Sequence, residues 1–366
     1  MTGPDRSDLG AARGADRTAD LAVKRERVLG ILAARPAGRL ALTSHAAVSW
    51  YLDGARTHVS LAGDPVLAVV VDADGDTVIT TGSERARLET EELPAGIRVR
   101  EVDWQAPLPS AWAGATDVLA EAAVAAELRA ARARLLPAEL GRYRTLGRET
   151  AAVLTEVLAA ADPAQSERAV TAAVGARLLE RGIDPVVLLA AGRSRLAHRH
   201  PLPTAAALGD RAMVVVCARR HGLIVNLTRW VRFGEPGAAE TDATARILEV
   251  EAAFFAATRP GAEVSAVLAR GSAAYGAHGF DPEEWRRHHQ GGPAGYNGRD
   301  PRAVAGLPDR VQAGQAFAWN PSAPGAKVED TVLVGAAEAP LEVLTVDPGW
   351  PTTLVHGVPR PAELQR

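Results

Sequence analysis

The sequence is poor in cysteine, sulfur and aromatic residues: among 366 residues there are one Cys, two Met and 4% aromatics. A single thiol, Cys217, excludes an intrachain disulfide framework and a cysteine-rich zinc site. It is read as a small buried hydrophobe. Long apolar runs are missing too. No window approaches the roughly 18 consecutive apolar residues of a membrane span, and the polar opening "MTGPDRSDLGAARGADRTAD" lacks the apolar core of a signal peptide. A cytoplasmic location is therefore expected. Neither sign of charge dominates. The 41 basic and 44 acidic residues leave a formal charge of −3, which argues against nucleic acid or an anionic membrane as the main partner. No tandem repeat of solenoid length is present.

What is present is hydrophobic residue, 47% of the chain and much of it Ala, enough for a large core and biased toward helix. The length suits two domains. Residues 1–22 read as a disordered leader. Residues 23–135 alternate short β runs with helical stretches and read as a small α/β domain. "VLAVVVDADGDTVITTG" is a hairpin signal around Asp-Gly, "SERARLETEEL" a helix with Ser83 as its N-cap, and "DVLAEAAVAAELRAARARLL" one long helix. Residues 136–366 combine four amphipathic helices with strands such as "PVVLLAAG", "AMVVVCA", "QAFAWN" and "DTVLVG". The simplest solution is α+β, with helices on one side of a curved, mostly antiparallel sheet.

Four polar clusters interrupt the apolar pattern of this second domain: "AHRHPLPT" with His198 and His200, "NLTR" from Asn226 to Arg229, "WRRHHQGGPAGYNGRD", and "AWNPSAPGAKVEDTVLV". Each has an ordinary reading. Asn226 can satisfy a bulge, the His198 and His200 side chains can belong to a surface loop, His288 and His289 can end a helix where the dipole favours cations, and Glu329 can pair with Lys327 or an arginine. Together, at strand and loop edges of one region, they point to a shared pocket.

In their order these clusters resemble the creatinase, aminopeptidase P and methionine aminopeptidase family of pita-bread metallopeptidases. "HPLPT", "VVCARRHGLIVNLTR", "TRPGAEV", "HHQGGPAGY", "WNPSAPG" and "KVEDTVLV" follow the family's succession over roughly residues 25–350. "LTSHAAVSWYLDG" is similar to the opening of the creatinase-type N-terminal domain. The resemblance implies a pita-bread C-terminal domain with a smaller α/β creatinase-type N-terminal domain. It also implies a homodimer, with Trp50, Tyr51, Trp104 or Trp112 as contact candidates, although Trp50 and Tyr51 read better as core.

Family members hold two divalent metals with two Asp, one His and two Glu. Those positions fall here on Val215, Asn226, Gly292, Asn320 and Glu329, of which only Glu329 keeps its carboxylate. Val215 has no donor, Gly292 has no side chain, and two Asn amides carry no charge, so no catalytic metal and no cofactor is expected. The other family positions remain polar. His200 matches the substrate-contacting histidine and His288 the first histidine of the "H-G-x-G-H" turn, with His289 one residue off. Arg299 falls on a further histidine and Lys327 on an arginine, while Thr228 and Arg229 match "T-R".

By this resemblance His200, His288 and Glu329 are the catalytic candidates. His200 would transfer protons, His288 or His289 would stabilise developing charge, and Glu329 would orient water or an amine. Asn226, Thr228, Arg229, His289, Gln290, Tyr296, Arg299, Asn320 and Lys327 are the substrate-binding candidates, with Arg299 or Lys327 receiving a carboxylate. The expected activity is metal-independent hydrolysis or elimination at a C–N bond of a small amide, guanidino or amino-acid-like molecule, anionic or zwitterionic. The alternatives are a non-catalytic pita-bread binding or scaffold protein, and an Xaa-Pro aminopeptidase with an unusual metal set.

Overall fold

The computed structural model describes residues 8–336 and 339–366. It divides into two compact units, one up to Leu140 and one from Gly141 to Arg366, against the boundary expected after residue 135. The first unit contains α1 (Asp8–Ala33), β1 (Arg39–Leu42), α2 (His45–Tyr51), β2 (Leu67–Asp72), β3 (Gly75–Thr81), α3 (Gly82–Arg87), β4 (Arg98–Val102), β5 (Val118–Ala120) and α4 (Ala125–Ala133). Residues 8–22, expected as leader, belong to α1; residues 1–7 lie outside the described residues. Toward its end α1 carries Lys24, fully buried and paired with Asp53 at 2.7 Å and Glu139 at 2.9 Å.

The strands form one mixed sheet, β4-β3-β2-β1-β5. The Asp-Gly hairpin joins β2 to β3, with Asp72 Oδ1 accepting from the Asp74 and Gly75 amides across the turn. Trp50 and Tyr51 are core, while Trp104 is exposed. Two helix expectations need correction. Ser83 lies inside α3 and Thr81 occupies the cap without a side-chain bond. The long helix predicted over 117–136 is interrupted, since its start pairs with β1 as β5 and only α4 remains α-helical.

The second unit follows with α5 (Pro137–Ala159), whose first turn holds the division, then α6 (Glu167–Glu180), β6 (Asp184–Ala191), β7 (Arg211–Arg220), β8 (Leu223–Arg232), α7 (Ala238–Ala257), α8 (Val264–Ala277), β9 (Gly291–Ala294), β10 (Ala316–Trp319), β11 (Ser322–Ala323), β12 (Ala326–Lys327), β13 (Asp330–Leu333), β14 (Glu342–Val343), β15 (Thr352–Val355), β16 (Val358–Pro361) and β17 (Leu364–Gln365). Two four-stranded sheets, β17-β8-β7-β6 and β14-β13-β10-β9, carry the site. They meet where the Thr228 amide donates to the Glu329 carbonyl and the Asn226 amide to Thr331 Oγ1. The β7–β8 hairpin turns through His221 and Gly222, both at positive φ (51° and 76°), the primed geometry that a two-residue hairpin needs. Helices α7 and α8 bury Phe254, Phe255, Val267 and Tyr275 against Phe317 and Trp319 of β10.

Three histidines and a tethered glutamate form the candidate functional site

Strand alternation sorts the polar run on β8. Successive side chains face opposite ways, so Asn226 and Thr228 share one face and Arg229 takes the other. On the first face Thr228 Oγ1 donates to Glu329 Oε2 at 3.0 Å. On the second, Arg229 donates to Asp330 Oδ1 at 2.9 Å. Arg360 joins there, donating to Asp330 Oδ2 at 2.8 Å and to both oxygens of Glu251 at 2.6 and 2.7 Å, so that Arg229, Asp330, Arg360 and Glu251 form one buried quartet. The expectation that Arg229 binds substrate is thus corrected: it is a structural ion-pair partner behind the site.

Glu329 precedes β13 and is 2% exposed. Both of its oxygens are engaged, Oε1 by Arg299 Nη2 at 2.7 Å and Oε2 by Lys327 Nζ at 3.0 Å as well as by Thr228. Burial alone would raise its pKa, but Lys327 and Arg299 outweigh burial and hold the carboxyl far below the usual carboxylate range. Its predicted role of orienting water is therefore not that of a free carboxylate, because both oxygens already accept from protein donors. The same contacts use Lys327 and Arg299, the two groups expected to receive a substrate carboxylate.

The histidines form a separate group. The loop after the short helical turn at 284–287 places His288 Nε2 3.0 Å from His200 Nε2, while His288 Nδ1 lies 2.9 Å from Ser322 Oγ. The His289 ring lies tilted beside them at ring-centroid distances of 4.7 Å from His288 and 5.8 Å from His200. His200 is exposed, His288 buried and His289 between the two. Burial, then the charge of Lys327, pushes His288 down to about 2 and lowers His200; burial, then Arg299, pushes His289 down to about 4. All three are neutral imidazoles at pH 7, so one of the two facing Nε2 atoms carries the hydrogen. Shifting that hydrogen along the Ser322–His288–His200 chain switches the remaining nitrogen of His200 between donor and acceptor.

Gln290 is a frame residue and not a substrate contact. Its Oε1 accepts from Tyr275 and its Nε2 donates to the carbonyls of Trp285 and His288, which fixes the His288 backbone. Tyr296 is buried. Asn320 follows β10 directly, across from Glu329 in the register set by the Trp319–Asp330 pair. Several buried polar atoms around the site have no partner in the protein: both amide atoms of Asn226, Asn320 Oδ1, His289 Nδ1 and Arg299 Nε. Unmet groups of this kind in a native core mark a bound molecule or ordered water. His198 is exposed and outside the cluster.

The five family ligand positions do not fit a pair of dications. Val215 packs in an apolar cluster with Leu189, Met213 and Trp230. Gly292 has φ +138°, and a Cβ there would lie 2.7 Å from the Ala303 amide nitrogen, so no side chain fits without moving backbone. Two fixed cations already neutralise Glu329. The three histidines bring ligand atoms within 4.8 Å of one another, the one such group among the described residues. Three neutral imidazoles are donors that zinc accepts, but the Nε2 atoms of His288 and His200 are engaged with each other at 3.0 Å, and the cations Lys327, Arg299 and Arg302 outnumber the Glu329 carboxylate among the charges acting on the group. Cys217, paired opposite Asn226, is pushed up to about 12, chiefly by burial, and carries no thiolate at neutral pH.

Two features escaped the sequence reading. Ser322 gave no signal, since its contact with His288 spans 34 residues. Arg302 lies just beyond the recognised motif; its charge acts on His200 and His289. A cavity of about 470 Å³ opens elsewhere, lined by Leu248, Phe255, Leu341, Val355 and Val358. Four of the polar side chains on its wall are paired, Glu249 with His356 at 2.8 Å and Glu251 with Arg360 at 2.6 Å.

Comparisons with known proteins agree with this architecture. No curated protein matches the chain in sequence. Among solved structures, the prolidase from Pyrococcus horikoshii OT3 superposes with a TM-score of 0.73 at 15% identity, covering 88% of this chain and 98% of that one. The dipeptidase PepE from Mycobacterium ulcerans gives 0.72 at 19% identity, covering 92% and 97%. The N-terminal domain of the FACT complex subunit SPT16 from Cicer arietinum (chickpea) gives 0.67 at 13%, covering 89% and 97%. These likenesses establish the pita-bread fold. The family model described as metallopeptidase family M24 matches residues 141–336, more than half of the chain, and the protein belongs to that family.

Proposed function

We propose that the protein is a metal-independent member of this hydrolase-like family that acts on a C–N bond of a small anionic molecule, with His200 as the proton-transfer residue. The observation that supports it is the hydrogen-bonded pair of neutral histidines, His200 at the surface and His288 buried behind it. In hydrolysis, His200 takes a proton from water as its oxygen adds to the carbonyl carbon, then returns it to the departing nitrogen, so that a C–O bond forms and the C–N bond breaks. In elimination the same nitrogen removes a carbon-bound proton, the C–H electron pair becomes a C=C bond as the C–N bond breaks, and the proton is returned to the leaving nitrogen. His288 is a positioning residue here: buried and neutral, it orients His200 and is itself held by Ser322. Glu329, Lys327 and Arg299 supply fixed charge where relatives with a full ligand set carry metal ions.

The test is turnover of a panel of N-acyl, carboxamide and ureido acids by chelator-treated protein, with metal content measured in parallel. Activity that survives chelation and is lost in His200→Gln is expected. Unchanged activity in that variant, or a stoichiometric zinc, manganese, cobalt or iron ion needed for turnover, overturns the proposal.

Two observations favour a second reading. A glutamate with both oxygens engaged and a family fold shared with a subunit of a larger complex suit a non-catalytic binding protein. That reading expects ligand retention without turnover across the panel.

A further inference from the structure

The charges around the histidines are unequal. Lys327, Arg299 and Arg302 act on the imidazoles as cations, and Glu329 is the carboxylate that opposes them. Three cations face one carboxylate, and that carboxylate is already tied to two of the three. The remaining one, Arg302, is exposed and has no hydrogen bond or ion pair among the described residues. The next residue, Ala303, donates its amide to the Gly291 carbonyl at 2.9 Å, which ties this segment to the chain two residues after His289, and the Arg302 charge acts on both His289 and the exposed His200. Two of the unpartnered buried atoms nearby are acceptors, namely Asn226 Oδ1 and Asn320 Oδ1. They call for N–H donors, and the excess positive charge selects donors that carry no charge.

We propose that the site takes a carboxylate bearing a neutral amide or ureido group and rejects guanidino and amino acids, with Arg302 as the anchor for the carboxylate. The proposal rests on reading the site as one for a small anionic molecule, and it excludes the cationic substrates that the sequence had left open. A guanidinium needs a free carboxylate opposite it, and Glu329 has no free oxygen. An Arg302 guanidinium, in contrast, can receive a carboxylate in bidentate fashion without breaking any bond in the protein.

The experiment uses two matched pairs: ureidoacetate with guanidinoacetate, and 3-ureidopropanoate with 3-guanidinopropanoate. Within each pair shape and carboxylate are the same, and a neutral carbonyl replaces a charged nitrogen. Binding to the full-length protein is measured by calorimetry and by perturbation of the histidine ring 15N signals. The ureido acid of at least one pair is expected to bind about tenfold more tightly than its guanidino partner, and Arg302→Gln is expected to weaken it by about tenfold. Equal or tighter binding of the guanidino acids overturns the selectivity while the anion site stands. Unchanged affinity in Arg302→Gln overturns the anchor. If no carboxylate binds the folded protein at all, the small-molecule reading itself fails, and this inference with it.

Discussion

Acidification should destabilise the second unit through His288 before Glu329 is protonated. A histidine in the unfolded chain titrates near 6.5, whereas burial and Lys327 push His288 down to about 2. The unfolded state therefore binds the proton that the folded state refuses. The stability this group contributes is fully present above pH 6.5 and is lost as pH falls below it. A pH of 5 lies about 1.5 units below the pKa of the unfolded imidazole, which at about 1.4 kcal/mol per unit is a loss of about 2 kcal/mol. His289, pushed down to about 4, adds a similar amount. The window from pH 7 to 5 separates these groups from Glu329, whose depressed pKa makes its contribution fall only below the usual carboxylate value of 4.5. Glu251, which burial pushes up to about 7, responds in the opposite sense, but equally in wild type and variant. The assay is hydrogen-exchange protection of the β10 and β13 amides at both pH values, in full-length wild type and in His288→Gln. The variant is expected to lose about 2 kcal/mol less protection on acidification than the wild type. An identical loss in the two proteins would show that His288 titrates normally, and the neutral dyad would fall with it.

Gly292→Ala is expected to destabilise the second unit by about 3 kcal/mol or more, read as a shift in urea midpoint, because its Cβ meets the backbone of residues 301–303 at positive φ; a shift under 1 kcal/mol would mean that this position can readily hold a ligand side chain. Arg360→Met strands Glu251 and half of Asp330 at 0% exposure, with an expected loss of about 3–5 kcal/mol. Combining it with Glu251→Leu should recover much of that loss, and failure to recover would place the damage in packing instead of charge.

The fold was legible because motif order survives when motif chemistry does not: "HPLPT", "NLTR", "HHQGG" and "KVED" fall on the loop before β7, on β8, on the entry to β9 and around β13. The sequence reading misses the split between Asn226 or Thr228 and Arg229, since it groups the three as substrate-binding candidates although period-two alternation puts Arg229 on the opposite face. Other features were not legible in the sequence. Sequence left open whether Glu329 serves chemistry or pairs with Lys327 or an arginine; only three-dimensional proximity brings Arg299, Lys327 and Thr228 to it together. Gln290 resembled a ligand group because its three frame bonds involve a tyrosine 15 residues away and two main-chain carbonyls. Arg302 carries no pattern, and its importance arises from what its neighbours have already bonded.

Glu329 and Asp330 stand back to back around the start of β13. One looks into the site; the other is clamped by Arg229 and Arg360 on the far side. Placement and chemistry are thus assigned to adjacent residues of one chain segment. The clamp is made by Asp330 alone, so an exchange at residue 329 leaves the ion pairs that anchor the start of β13 in place. At this point of the chain the residue that faces the site is separable from the residue that holds the backbone.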